Sequence, residues 1–358
     1  MALQKQKILL DCERMKYPNT GLYHFCLQLG TALQALLAQN SMQQLYCYTS
    51  TQTAGFINKN ISLIRPKFWH KWYLSLANDF GIWHVTHQST DYFPTSSKTP
   101  IVLTIHDLNF LYNVTKSTKK KQRYLQALQQ KINHSKQIVA ISEHVKSDIL
   151  KHCDVKNKTL SVIYNGCNIN NTIMPKKPVN IGLQPFLYTI GTILEKKNFH
   201  VLPALLVHNN YTLIISGITQ SQAYKHKIIA EAIQYGVADR VVFTGSITEA
   251  EKYWYLQHCK AFVFPSLAEG FGLPIIEAMH FGKPVILSTH TSLPEVGGKH
   301  AYYFSNFDAA SMQQTLINSL AHYHQKNPQD LIKAWANTFT WQKAAEQYIA
   351  IYTKLLTK

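Results

Sequence analysis

The sequence lacks paired cysteines, a long apolar run and a balance of charges. Its six cysteines are scattered, with no C-x-x-C pair, which argues against a disulfide scaffold or structural zinc site and fits a reducing compartment. No stretch approaches the roughly 18–20 uncharged apolar residues that a membrane-spanning helix needs. The three apolar residues between Lys7 and Asp11 are too few for the core of a signal peptide. These absences predict a soluble, cytoplasmic protein.

Acidic residues are scarce: 19 Asp and Glu against 36 Lys and Arg give a formal net charge of +17. Residues 1–175 contain 20 basic and 8 acidic residues (+12), whereas residues 176–358 contain 16 and 11 (+5). This excess indicates an anionic partner, which could be nucleic acid, an anionic membrane surface or a phosphorylated small molecule. Because no helix-turn-helix, zinc-finger or RNP motif is present, a basic nucleic-acid-binding protein is only a remote alternative.

Length and patterning indicate two α/β domains. The chain has 358 residues, more than one core usually holds, and its 46% apolar content excludes global disorder. Short apolar runs alternate with longer amphipathic ones, as in β–α units with parallel sheets. Residues 170–184 lack periodicity and contain prolines, which is typical of a linker. We therefore predict two doubly wound, Rossmann-like domains facing a cleft, at 1–175 and 176–340, and a final helix within 341–358.

The strands and helices follow from these patterns. The predicted strands are 7–12, 44–48, 82–86, 101–105, 137–141, 160–163, 186–190, 211–215, 241–243, 261–264 and 284–287. The clearest predicted helices are 21–37, 118–133, one capped by Ser142, and 341–356.

The most informative stretch, residues 262–298, reads FVFPSLAEGFGLPIIEAMHFGKPVILSTHTSLPEVGG. A glycine-rich turn follows a buried strand and opens a helix with Pro274 at its first position, leaving backbone N–H groups for phosphate oxygens. Glu269 and Glu277 lie eight positions apart, roughly 12 Å along a helix, whereas the carboxyls of a retaining glycosidase lie about 5 Å apart. The spacing fits two ends of an extended ligand. From the residues alone, two solvated carboxylates explain it equally well.

This stretch resembles the signature of the family 4 retaining glycosyltransferases, which have the GT-B fold. PSLAEGFGLPIIEAMHFGKPVI matches their pattern P-S-x-x-E-G-F-G-L-P-x-x-E-A-M-x-x-G-x-P-V-I at every defined position. Further similar segments are YPNTGLYHFCLQL, TIHDLNF, ISEHVKSDIL, VIYNGCN and LYTIGTILEKKNF. The resemblance implies two Rossmann-like domains, a C-terminal helix packing back on the N-terminal domain, and transfer of a hexose from a nucleotide sugar with retention of configuration.

The resemblance also implies residue roles. Glu269 would contact hydroxyls of the transferred sugar, His106 would hydrogen-bond that sugar, and Lys197 would neutralise the diphosphate leaving group. Donor binding is expected from Glu277 (at the ribose), Lys196, Gly21, Gly191, Gly270, Phe271, Gly272 and Leu273. Thr192 stands where many relatives carry Arg, so Lys196 is the expected second cation. No metal or other cofactor is expected, because the family generally lacks a D-x-D motif and none occurs here.

The T-I-H-D-L and S-L-P-E-V segments look most like mannosyltransferases that use GDP-mannose. UDP-glucose, UDP-galactose and UDP-N-acetylglucosamine remain alternative donors. The expected acceptor is a lipid-linked or membrane-associated glycan of envelope polysaccharide or lipopolysaccharide, met at the inner face of the plasma membrane. A GT-B epimerase, phosphorylase or inactive scaffold is a rival, although no pyridoxal-phosphate lysine signature supports the phosphorylase.

Three features of the first domain have two interpretations each. His84 and His87 are either core residues or part of an acceptor or metal site. The run Lys116–Arg123 is either a solvated helix face or a docking surface for anionic membrane. Aromatic side chains near Arg65, Lys67 and Lys71 either pack in the core or form an interfacial patch; they are Trp69, Trp72, Tyr73 and Trp83.

Overall fold

The computed structural model describes residues 6–18, 20–38, 43–50, 61–112, 116–179, 182 and 184–357. The chain forms two compact units, Met1–Asn168 with Thr340–Lys358, and Ile169–Phe339. Near the predicted linker, the Asn170 N–H donates to the Tyr253 hydroxyl (2.8 Å) and the Lys176 N–H to the Ala250 carbonyl (2.9 Å). The start of that segment therefore lies on the second unit, and the boundary falls a few residues before 175.

The described elements alternate strands and helices. The strands are β1 Gln6–Asp11, β2 Gln43–Tyr48, β3 Ser62–Ile64, β4 Ile82–Val85, β5 Ile101–Ile105, β6 Gln137–Ala140, β7 Thr159–Val162, β8 Phe186–Ile190, β9 Thr212–Ser216, β10 Val241–Gly245, β11 Ala261–Phe264, β12 Val285–Ser288 and β13 Tyr302–Phe304. The α-helices are α1 Gly21–Leu37, α2 Thr118–His134, α3 Glu143–His152, α4 Gln222–Gln234, α5 Glu249–His258, α6 Leu273–His280, α7 Leu293–Gly297, α8 Ala309–Lys326, α9 Gln329–Ala336 and α10 Trp341–Leu356.

Each unit contains one parallel sheet with a reversal of strand order near its centre. In the first unit the order is β3-β2-β1-β4-β5-β6-β7, and in the second it is β10-β9-β8-β11-β12-β13. Every pairing recorded in either sheet is parallel. The order therefore reverses between β1 and β4 and between β8 and β11, which defines the switch points of doubly wound sheets. The predicted α/β fold with two Rossmann-like domains is confirmed.

The helix α1 has the bounds that its apolar spacing predicts. Its N-cap Thr20 accepts a hydrogen bond from the Tyr23 N–H (3.3 Å), which satisfies one of the unpaired donors at a helix start. The buried stripe includes Phe25, Leu29 and Leu33 and forms one side of the first unit's core.

The final helix α10 packs against α1 and belongs to the first unit, in line with the prediction that it packs back on the N-terminal domain. The Trp341 indole N–H donates to Asn168 Oδ1 (3.0 Å). Further along, the hydroxyls of Tyr348 and Tyr352 hydrogen-bond Thr104 Oγ1 (2.9 Å) and His84 Nδ1 (2.6 Å). These polar contacts give the helix one register on a buried surface.

Some local features differ from the sequence-based predictions. Strands β3 and β13 were not predicted, because each has three residues and exists only through pairing with a longer neighbour. Helix α6 begins at Leu273, so Pro274 occupies its second position and not its first. All six cysteines, each in the described chain, are free thiols. Among the described residues, no helix has both the length and the apolar character to cross a bilayer.

Candidate active site

Two loops of the second unit meet at the switch point of its sheet. The first follows β8 and carries Lys196 and Lys197 in a short 3-10 turn; the second follows β11 and carries Glu269. The Leu267 N–H donates to the Lys196 carbonyl (2.8 Å), and Ser266 Oγ lies 3.2 Å from the same oxygen. Because ligands of open α/β sheets bind at this edge, the loop pair is the natural place for a ligand.

Lys197 and Glu269 form an ion pair between these loops. Lys197 Nζ lies 2.5 Å from Glu269 Oε1, and Ser266 Oγ donates to that same oxygen (2.6 Å). The ammonium also lies 4.8 Å from the ring centroid of Phe264. Both charged side chains are largely but not wholly buried, so the pair is shielded from most of the bulk water.

Burial and charge act in opposite directions on the pKa of each partner. Burial alone raises the pKa of Glu269, but the cations of Lys197 and Lys196 and the hydrogen bonds from Lys197 and Ser266 outweigh it, and the pKa is lowered. Burial lowers the pKa of Lys197, against the attraction of Glu269. Glu269 is therefore held as a carboxylate at neutral pH.

Hydrogen bonds from the segment after β12 hold the Glu269 backbone in place. The Glu269 N–H donates to Thr291 Oγ1 (3.0 Å), and Ser292 Oγ donates to the carbonyls of Glu269 and Phe271 (both 3.1 Å). Sequence reasoning did not assign roles to Ser266, Thr291 or Ser292. The spacing of Ser266 within the P-S-x-x-E motif was the available signal, because it lies three residues before the glutamate.

Close packing explains why glycines occupy positions 191 and 217. A Cβ at Gly191 would lie 3.1 Å from Lys197 Cε, and one at Gly217 would lie 2.2 Å from the Gly191 carbonyl oxygen. Gly217 also has φ +130, which side-chain-bearing residues rarely adopt. Gly191 thus lies beside the Lys197 ammonium.

The glycine-rich turn leads from Glu269 into α6. Gly270 is half-buried, Gly272 has φ +101 and caps the helix, and the half-buried Leu273 is the first helical residue. The ring of Phe271 is buried and packs edge-on against Phe339, with centroids 5.8 Å apart. Since its side chain is part of the core, only the backbone of Phe271 could contact a ligand.

Glu277, predicted to bind the ribose, pairs with a lysine that the sequence reading did not single out. Lys252 Nζ on α5 lies 3.2 Å from Glu277 Oε2 and 2.9 Å from Glu249 Oε2, and both Lys252 and Glu277 are buried. Burial works to lower the pKa of Lys252, but the two carboxylates raise it above its usual value. Lys252 is therefore a permanent cation that fixes one oxygen of Glu277.

A signal for Lys252 was present in the helix pattern. It lies four residues before Leu256 and seven before Cys259, both buried, so it interrupts an apolar stripe at helical spacing. A buried lysine requires an anionic partner, and Glu277 supplies it.

His106 follows β5 in the first unit and is neutral. Its Nε2–H donates to the Thr86 carbonyl (2.8 Å), its backbone N–H donates to Gln88 Oε1 (3.0 Å), and its ring packs edge-on against Phe25. Burial lowers its pKa to about 4, against the hydrogen bond to Thr86. Since Nε2 carries the proton, Nδ1 is the acceptor that a sugar hydroxyl could use.

The other residues of interest in the first unit have different surroundings. Gly21 is the first residue of α1, and a Cβ there would meet no atom within 4 Å. His84 is a core residue whose Nδ1 and Nε2 form hydrogen bonds with the Tyr352 hydroxyl (2.6 Å) and Thr104 Oγ1 (2.8 Å). Burial lowers its pKa to about 3. No group of three or more His, Cys, Asp or Glu side chains suited to a metal ion occurs in the described chain.

The predicted site residues thus fall into three groups. Lys196, Lys197, Gly191 and Glu269 come together at the switch point of the second unit. Residues 270–273 lead from that point into α6, where Glu277 is held by Lys252 of α5. Gly21 and His106 belong to the first unit.

Comparison with known families gives the decisive observation. The sequence of residues 171–337 matches the family "Glycosyl transferases group 1", and residues 43–171 match "Glycosyltransferase Family 4". The chain is a family 4 glycosyltransferase. As such, it depends on a nucleotide-sugar donor, and the resemblance to the family 4 glycosyltransferases is confirmed.

This glycosyltransferase is similar to curated proteins over most of its length. It is 23% identical to the O-antigen chain mannosyltransferase B of Escherichia coli, over 98% of this chain and 100% of that protein. It is 24% identical to the O-antigen chain mannosyltransferase RfbU of Salmonella typhimurium, over 87% of this chain and 90% of that protein.

Solved structures share its fold. The glycosyltransferase matches Anabaena Alr3699/HepE in complex with UDP and glucose with a TM-score of 0.74 and 16% identity, covering 98% of this chain and 100% of that one. A glycosyltransferase from Rickettsia africae matches with a TM-score of 0.72 and 15% identity, covering 99% of each chain. At such identities the likeness establishes the GT-B fold.

Proposed function

We propose that this glycosyltransferase moves mannose from GDP-mannose, with retention of configuration, onto a lipid-linked or membrane-associated glycan during assembly of O-antigen or a related polysaccharide. The observation that carries the proposal is the Lys197–Glu269 pair at the switch point between β8 and β11. The choice of mannose is supported by the similarity, over nearly the whole chain, to two O-antigen mannosyltransferases.

The chemistry assigned to the pair is separation of charge at the donor. As the bond between the anomeric carbon and the phosphate oxygen breaks, negative charge develops on the diphosphate. Lys197, with Lys196 beside it, would stabilise that charge, because fixed cations need no reorganisation during the reaction. The acceptor oxygen forms the new glycosidic bond on the same face of the sugar, and its proton passes to the departing phosphate. Glu269 would bind hydroxyls of the transferred sugar through its carboxylate.

The remaining predicted residues have binding roles in this proposal. Glu277, with one oxygen held by Lys252, would accept hydrogen bonds from the ribose hydroxyls through the other. His106 would accept a hydrogen bond from the sugar at Nδ1. Gly191, Gly21 and the turn from Gly270 to Leu273 would let the donor approach the backbone closely. No metal ion is required by this proposal, since lysines supply the charge.

A thermal-shift panel of nucleotide sugars tests the donor. A ligand that binds only the folded chain at 100 times its Kd stabilises it by about 2.7 kcal/mol. We expect GDP-mannose to raise the Tm more than GDP, UDP-glucose, UDP-galactose or UDP-N-acetylglucosamine. A larger shift with a UDP-sugar would replace mannose by that sugar. No shift with any nucleotide sugar would refute the donor site.

A transfer assay tests the stereochemistry. We expect the anomeric configuration of the transferred sugar, measured by NMR of the product, to equal that of the donor. An inverted product would refute the front-face reaction while leaving the transferase activity intact.

The proposed acceptor implies that the enzyme works at the cytoplasmic face of the plasma membrane as a peripheral protein. The concentration of positive charge in residues 1–175 supports this, because anionic lipid attracts Lys and Arg by about 1 kcal/mol each near its surface. In the first turn of α2, Lys119 and Lys120 are exposed and no acidic residue is present. That turn therefore offers positive charge to an anionic surface.

A further inference from the structure

Four aromatic side chains project into solvent within six residues of the first unit. Phe68 is 74% exposed, Trp69 45%, Trp72 78% and Tyr73 63%. These residues follow β3 and precede β4 and form a surface that we call the aromatic turn. Exposed aromatic side chains scattered singly are ordinary, but a contiguous group of this kind usually marks a contact with another apolar surface.

The backbone of the aromatic turn is fixed to the first unit by buried side chains, so the exposure of its aromatic rings does not result from a loop without contacts to the core. His70 is buried, its Nδ1 lies 2.7 Å from the Tyr48 hydroxyl at the end of β2, and the Lys67 N–H donates to the same atom (3.2 Å). Leu74 is buried as well. Two inward side chains thus fix the backbone while the four aromatic rings point outward.

The charges around the aromatic turn are mainly positive. Arg65, Lys67 and Lys71 flank it, and Lys67 Nζ lies 5.1 Å from the centroid of Trp69. Lys71 pairs with Asp91 (3.6 Å) across two half-exposed side chains. Because His70 is anchored at the end of β2, and α2 begins after β5, the aromatic turn and the lysines of α2 lie on the same, carboxyl-end side of the parallel sheet.

We propose that the aromatic turn inserts into an anionic lipid surface, with the surrounding cations in contact with its headgroups. This inference deepens the proposed function and rests on it, since it names the surface that would bring the enzyme to a lipid-borne acceptor. Tryptophan and tyrosine favour the boundary between headgroups and acyl chains, and flanking Lys and Arg bury their stems while their charges reach phosphate. Basic side chains outnumber acidic ones around the aromatic turn. This charge favours an anionic lipid surface over an uncharged glycan or a protein surface without net charge.

Vesicle co-sedimentation of the full chain tests the inference. We expect binding to vesicles of phosphatidylcholine with phosphatidylglycerol, weaker binding to phosphatidylcholine alone, and a decline with salt. Trp72→Ser should lower the partition constant about tenfold, the change that corresponds to ~1.4 kcal/mol. Phe68→Ser with Trp72→Ser should lower it further. Lys119→Gln with Lys120→Gln should weaken binding to the anionic vesicles about fivefold per lysine.

Leu150→Ser is the matched control. Leu150 is 55% exposed on α3 of the same unit, so its replacement removes an exposed apolar side chain outside the aromatic turn. It should leave the partition constant unchanged. A second measurement uses vesicles with brominated acyl chains: they should quench part of the tryptophan fluorescence of the wild type and less of that of Trp72→Phe.

The outcomes separate this inference from the proposed function. Wild-type vesicle binding by the Phe68→Ser, Trp72→Ser double variant, or equal losses in Leu150→Ser, would overturn the aromatic turn as the lipid contact, whatever the donor panel shows. A concentration-dependent dimer abolished by the same substitutions would assign the surface to a second copy of the chain and also overturn it. Loss of vesicle binding with an unchanged GDP-mannose thermal shift supports it. If no nucleotide sugar shifts the Tm while vesicles still bind through these residues, the proposed function fails and the lipid surface remains.

Discussion

Lys197 Nζ lies 2.5 Å from Glu269 Oε1, in a pair joined across two loops that are far apart in sequence. In the proposed role of Lys197 at the diphosphate, this cation is paired with a carboxylate before the donor binds. An unpaired buried charge would cost several kcal/mol. The pair therefore keeps Lys197 stable at the switch point, and a bound phosphate would add a second anion beside it.

Replacing Glu269 and replacing Lys197 should have different effects on catalysis and on GDP binding. Glu269→Gln is expected to lower kcat by about 10²–10³-fold, the range for loss of one preorganised stabilising group, while the Kd for GDP changes little. Lys197→Met is expected to weaken GDP binding as well as transfer, because it removes a charge assigned to the diphosphate. Steady-state kinetics and calorimetric titration with GDP measure both.

Lys225→Met is the control for Lys197→Met. Lys225 Nζ also lies 4.8 Å from an aromatic centroid, that of Phe243, so the change in charge and ring contact is the same. GDP affinity should stay at the wild-type value. Near-wild-type transfer by both Glu269→Gln and Lys197→Met would refute the site.

Lys252 is expected to support donor binding by holding Glu277. Lys252→Met leaves a buried carboxylate without its cation, which should destabilise the fold by about 3–5 kcal/mol and weaken donor binding. Adding Glu277→Gln to Lys252→Met should recover stability, because the buried charge is gone, but should not recover donor affinity. Denaturant unfolding and donor titration separate the two effects.

Glu249→Gln is the matched control for this prediction. Glu249 contacts the same ammonium at 2.9 Å, but its side chain is 39% exposed, so its loss should have little effect on donor affinity. A Lys252→Met variant with wild-type donor affinity would show that Lys252 serves the fold alone.

Stability should fall in mild acid through His84. Its pKa is about 3 in the folded chain, lowered by burial from an ordinary value of 6.5. Below pH 6.5 the unfolded chain takes up a proton at His84, whereas the folded chain does not do so until the pH is near 3. The free energy of unfolding therefore decreases as the pH falls between these two values. Between pH 6.5 and 5 the loss is about 1–2 kcal/mol for this one group. Urea unfolding at several pH values measures this loss. The free energy of unfolding should fall less steeply with decreasing pH in His84→Gln than in the wild type.

Gly217→Ala should disturb the site through its backbone. The added Cβ would lie 2.2 Å from the Gly191 carbonyl oxygen at φ +130, so Gly191 and the neighbouring Lys197 must move. We expect a loss of about 3 kcal/mol or more in stability and weaker donor binding. Gly236→Ala, with φ +67 and no atom within 4 Å of the added Cβ, should cost only about 1–2 kcal/mol and leave donor affinity unchanged.

The long, strongly patterned elements were predictable from sequence. Gly21–Leu37 has the predicted bounds because its stripe of apolar side chains repeats at helical spacing and Thr20 supplies the cap. Strands β5, β8 and β11 also have the predicted bounds, since each is a short apolar run that is buried on both faces. The edge strands β3 and β13 lacked such a signal, because a three-residue strand is defined by its neighbour's hydrogen bonds.

The same division applies to the site. The family, the candidate residues Glu269, Glu277 and Lys197, and the excess of positive charge follow from the sequence alone, because motif, spacing and composition are local or additive properties. The folded structure was needed to show that Lys197 pairs with Glu269, that Lys252 holds Glu277, that His84 is a core residue and that the aromatic turn is exposed. Those facts depend on which distant segments come within a few ångströms of one another, and such contacts are fixed by the packing of whole elements.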